Sequence, residues 1–198
     1  MTKNRLEAFS DGIIAIIITI MVFDIKMNEV PNEHHFWVEF LKLYPKIISY
    51  MLSFLTLAIM WVNHHQLFHQ IKQIDRKSLW YNIHLLFWMS LVPFGTNLVG
   101  ANPTLALNIS IYSLIFLMNA LSFSFLRGYA VRKNLLLEHV RKETQVRILK
   151  KNILAVCIYA SAAIVGWWSV YISYILLLIV PIMYFIPEKI TSNEISNS

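Results

Sequence analysis

Hydrophobic and polar positions alternate on a coarse scale along this chain. Six long apolar stretches are separated by short polar ones, at residues 6–28, 45–71, 79–100, 104–130, 148–168 and 170–187. A helix needs roughly 20 mostly apolar residues to cross a bilayer core, and each stretch approaches or exceeds that length. The pattern predicts an all-α integral membrane protein with six transmembrane helices. The last two stretches are parted by little more than Trp167-Trp168-Ser169, so they also read as one long hydrophobic hairpin. The first is expected to be a retained span, because its apolar run is long and no small-x-small cleavage site follows. Residues 1–187 then form one transmembrane domain, and 188–198, ending in TSNEISNS, form a polar tail.

Composition supports the membrane reading. The chain is 57% hydrophobic and only 14% charged, against about 25% charged in soluble domains. Its single cysteine, Cys157, allows no intrachain disulfide and is expected to be a small buried hydrophobe. The net charge of +6 is carried by the connections. Fourteen of the 17 lysines and arginines fall in the N-terminal segment, the second and fourth connections and the tail; Lys26, Lys42 and Lys46 fall on the other side. Basic residues mark cytoplasmic loops, so both termini are expected in the cytoplasm of a multi-pass cell-membrane protein, with no nucleic-acid partner. The basic stretch 132–151 is expected to extend the fourth and fifth helices towards the cytoplasm or along anionic headgroups.

The candidate chemistry begins in RLEAFSDGIIAIIITIMVFDIK, Arg5 to Lys26. A carboxylate is costly in hydrocarbon, so Asp11 needs a partner or a task. At about 100° per residue, with Ile16 at zero, Ile20, Phe23, Met27, Gly12 and Thr19 fall within about 60° of it. Asp11 and Ser10 fall well off that stripe. They are expected to face other protein, where an intramembrane carboxylate is paired or hydrogen-bonded. Arg5 and Asp11, six residues apart, do not stack along one helix. In WVNHHQLFHQ, His64 and His65 are adjacent, and His65 and His69 stand at i,i+4, a spacing that suits a metal. No carboxylate or cysteine on the same helix completes such a site. The histidines lie at a depth similar to Ser10 and Asp11, so an interhelical His–Asp–Ser network is the alternative. Pro93 and Gly95 mark a kink in the third span, and His84 and Asn97 read as satisfied packing contacts. There is no Ser–His–Asp signature, no phosphate-cradling glycine loop and no TVGYG filter. No enzyme chemistry is expected, and no cofactor.

Arg5-x-x-x-Phe9-Ser10-Asp11, followed by AIIITIMV, resembles the head of the first span in the transmembrane protein 175 family of potassium channels. Trp61-x-x-His64-His65 and Val92-Pro93-Phe94 are similar to that family's second and third spans. The resemblance covers essentially the whole chain. It implies a potassium-selective channel in the bilayer, a homotetramer around a central pore lined by the first helix, with permeant potassium ions in place of a cofactor. On that resemblance the narrow apolar ring falls on Ile16, and Thr19, Ile20 and Phe23 line the rest; Phe23 stands where a smaller aliphatic residue is expected. Arg5, Phe9, Ser10, Asp11 and Trp61, with His64 or His65, would form the network that sets the first helix. The competing readings are a small proton-linked transporter using Asp11 and these histidines, and a metal protein using His64, His65 and His69.

Overall fold

The computed structural model of the protein describes residues 2–27, 33–137 and 142–185. The expected tail 188–198, residues 186–187 of the sixth span, residue 28 of the first and residues 138–141 of the basic stretch lie outside it. The described residues form eight α-helices, in order α1 (Lys3–Ile20), α2 (Glu33–Lys42), α3 (Tyr44–Gln70), α4 (Arg76–Ser90), α5 (Val92–Ala101), α6 (Ala106–Arg132), α7 (Lys142–Val165) and α8 (Val170–Phe185). A 3-10 turn, Met21–Asp24, closes α1. Among the described residues, five helical units are long and apolar enough to cross a membrane: α1 with its 3-10 turn, α3, α4 with α5, α6, and α7 from Thr144. The sixth, α8, is apolar but shorter, at 16 described residues. The protein is a multi-pass, all-helical membrane protein.

Local sequence sets the breaks. Proline lacks an amide proton, and its ring collides with the carbonyl four residues back. Accordingly α4 ends at Ser90, and α5 restarts at Val92 with Pro93 in its first turn. This is the expected kink in the third span. Asp75 starts α4, accepting bonds from the Ser78 amide and hydroxyl, both at 2.7 Å, an N-cap that satisfies an orphan helix donor. Tyr129 of α6 donates to the other Asp75 oxygen. The Tyr129 bond first, then the Ser78 bonds, hold the Asp75 carboxyl down at about 2. After α6 the chain reverses through Asn134 at a φ of 54°, a left-handed conformation that asparagine tolerates. Leu135 and Leu137 then bond Lys72 and Gln70, tying the ends of α3 and α6 together.

Two features depart from the sequence expectation. The connection 26–44 contains α2, too short to span; its Phe36 and Phe40 sit one turn apart with rings 6.1 Å apart. Cys157 is exposed on α7 rather than buried. An apolar run does not distinguish a face turned to neighbouring helices from one turned outward, and Cys157 lies on the outward face.

The core gathers around α6, which packs on α7, α4 and α5, while α3 packs on α5. Hydroxyls join the layers: Ser53 lies 2.7 Å from both Thr96 and Tyr112. Close approach of α3 and α5 depends on Gly100. A Cβ there would lie 2.9 Å from Ser49 Oγ and 3.2 Å from Lys46 Cα. The second contact is backbone, so the helices must separate. Gly100→Ala is expected to cost about 1–3 kcal/mol, as overpacking does, and to lower the thermal midpoint in detergent. An unchanged midpoint would mean that α3 and α5 part freely.

Candidate pore helix and its anchoring network

α1 lies against α3 and α4, with a further contact to α5. Leu6, Ser10, Ile14, Ile17 and Met21 are buried there, at steps of three or four residues that keep one helical face inward. The opposite face is bare. Ile16 is 60% exposed, Ile20 43% and Phe23 69%, whereas Ile14 is 0% and Ile17 3%. Gly12 and Thr19 are exposed on the same stripe. Isoleucines that look alike in sequence therefore divide into packed and unpartnered sets. Phe23 belongs to the 3-10 turn, where the helix is already tightening.

Thr19 is the polar member of the bare stripe. Its hydroxyl donates to the carbonyls of Ala15 and Ile16, each at 3.0 Å. A hydroxyl has one proton and two lone pairs, so this sharing leaves its oxygen free to accept.

The inward face is held by a directional string of bonds. His64 Nε2 donates to Asn82 Oδ1 at 2.8 Å, and Asn82 Nδ2 donates to Ser10 Oγ at 2.8 Å. Ser10 Oγ in turn donates to the Leu6 carbonyl at 2.8 Å. The amide oxygen can only accept, so His64 carries its proton on Nε2. His64, Asn82 and Ser10 are each 0% exposed. The string links α3, α4 and α1 at one point.

Asp11 is bound separately. Trp61 Nε1 donates to its Oδ1 at 2.9 Å, in a partly exposed position. The expected His–Asp–Ser network thus divides: His64 serves Ser10 through Asn82, and Asp11 takes Trp61. The Trp61 ring stacks on His65, with centroids 5.6 Å apart. His65 turns instead towards Glu7 and His69. Arg5 and Phe9 are exposed, and among the described residues no hydrogen bond or ion pair joins Arg5 to either group.

Asn82 and Glu7 are the residues that sequence reasoning missed. Asn82 carried a usable signal, since a carboxamide inside an apolar span needs partners and stands at the depth of Ser10 and His64. Glu7 carried less, because it precedes the apolar run and reads as solvated.

The chain is similar to known ion channels. The model of a family described as the endosomal/lysosomal potassium channel TMEM175 matches residues 5–93, a range that contains every residue of both groups. A protein of a Chryseobacterium species, named as a potassium channel, is 32% identical over 189 residues, covering 96% of this chain and 95% of its own. The human endosomal/lysosomal proton channel TMEM175 is 22% identical over 196 residues; the match covers 96% of this chain but 39% of the human protein. The crystal structure of a lysosomal potassium-selective channel TMEM175 homolog from Chamaesiphon minutus superposes with a TM-score of 0.79 at 28% identity. That match covers 92% of this chain and 96% of the other. The relatives are ion channels rather than enzymes, and a match running almost end to end at this identity makes the chain a member of the TMEM175 family.

Proposed function

We propose that the protein is a homotetrameric potassium-selective channel of the cell membrane. Each protomer crosses six times, with α8 as the sixth span and both termini cytoplasmic. The conduction path runs along the bare stripe of α1, past Ile16, Thr19, Ile20 and Phe23, with Ile16 as the constriction. The observation that carries this reading is the split of α1 into a packed face and an unpartnered one. An apolar stripe interrupted by a hydroxyl acceptor suits an ion path with a hydrophobic gate. The potassium-channel names of the Chryseobacterium and Chamaesiphon relatives point the same way. In this scheme Ser10, Asp11, Trp61 and His64, with Asn82 between His64 and Ser10, set the rotation of α1, and selectivity arises from pore width and Thr19 oxygens.

Purified protein in liposomes with a potassium gradient tests the proposal. We expect flux well above empty vesicles, greater for potassium than sodium and requiring no pH gradient. Flux that saturates or needs a proton gradient would instead favour a proton-linked transporter. No flux from a folded tetramer would remove both readings.

A further inference from the structure

We propose that Glu7, His65 and His69 form a binding site for a divalent transition-metal cation of the zinc class, joining the head of α1 to the last two turns of α3. Sequence spacing alone offers only the histidine pair; the fold adds a carboxylate from another helix. One donor atom from each of the three residues lies within 4.8 Å of the others.

The two imidazoles are close to the spacing an ion requires. His65 Nε2 and His69 Nε2 stand 3.0 Å apart, with rings at 86°. Two nitrogens bound to one tetrahedral zinc, at about 2.0–2.1 Å each, are about 3.3 Å apart. Without an ion the two nitrogens share one proton; an ion displaces it and takes both lone pairs. Glu7 Oε1 lies 3.3 Å from His65 Nδ1, a buried nitrogen that lacks a hydrogen bond. That nitrogen is not the one turned to His69, so Glu7 reaches an ion held by the two Nε2 atoms through a change of its own rotamer, which a side chain near the start of a helix can make. Two imidazoles and a carboxylate suit a zinc-class cation and leave the fourth position to water.

The site is also supported from behind. Trp61 stacks on the His65 ring, and Asp11 holds the Trp61 indole. Such outer contacts fix the orientation of a ligating histidine. His64 stays out, since its Nε2 is committed to Asn82.

The test uses the full-length protein in detergent, stripped with a chelator and titrated with Co²⁺ and then Zn²⁺. Calorimetry is expected to give one ion per protomer. Bound Co²⁺ should show the visible bands of tetrahedral coordination and be displaced by Zn²⁺. Zn²⁺ should raise the thermal midpoint, because an ion that binds the folded state stabilises it. His69→Ala and Glu7→Gln should each weaken Zn²⁺ binding at least about ten-fold and abolish the midpoint shift. Cys157→Ser, on α7, should leave both unchanged. Wild-type protein that binds no ion, or His69→Ala and Glu7→Gln proteins that bind it unchanged, would overturn the proposal.

Discussion

Ile16→Asn is expected to raise potassium flux by about ten-fold or more without changing subunit number. In the proposed tetramer four Ile16 side chains meet at the axis, and each is 60% exposed in the protomer, so little intrasubunit packing is lost. A narrow ring of isoleucine side chains expels water and blocks ions by dewetting. Four carboxamides supply donors and acceptors and keep the ring wet. A ten-fold rise requires the barrier to fall by only about 1.4 kcal/mol, or about a third of a kcal/mol per amide. The same substitution at Ile17, 3% exposed, would bury a carboxamide among apolar side chains and cost stability instead. Flux through reconstituted Ile16→Asn tetramers is the measurement. Unchanged flux with intact assembly would move the gate to another ring, with Ile20 next along the stripe.

Why Ile16 and Ile17 differ was legible from helical periodicity, since α1 is regular to Ile20 and its wheel angles hold. The span boundaries were legible for the same kind of reason. Apolar length, Pro93 and the polar connections each act locally, so α3, α6 and the break between α4 and α5 fall where the sequence put them. What was not legible depends on neighbours. Cys157 sits in a run as apolar as any core, and only packing shows that it faces outward. Asp11 and His64 were rightly placed at one depth, but which polar group meets which depends on helix rotation, and Asn82 of α4 takes the position between His64 and Ser10. α2 was missed because only spanning length was sought, although Phe36 and Phe40 carry a helical spacing.

That placement of Asn82 leads to the second large effect, on stability. Asn82→Ala removes the middle of the string from His64 to Ser10. The Nε2 proton of His64 is then buried with no acceptor, and its Nδ1 already lacks a partner. An orphaned buried donor costs about 1–3 kcal/mol, and the space left by the amide adds roughly 1 kcal/mol. Measured hydrogen bonds between membrane helices average only about 0.6 kcal/mol, because their partners find substitutes. His64 is 0% exposed and cannot turn to water, so the larger penalty governs and the loss should total about 2–4 kcal/mol. Asp11→Ala removes a single bond from Trp61, which is 40% exposed and is not left as a sealed-in donor, so about 0.5–1.5 kcal/mol is expected. Thermal unfolding in detergent should therefore rank Asn82→Ala well below Asp11→Ala. The reverse order would make the carboxylate, not the buried carboxamide, the anchor of α1. In the proposed channel the same ranking should appear in flux, because losing the buried tie to α4 lets α1 rotate Ile16 off the axis more readily than losing the single Trp61 bond.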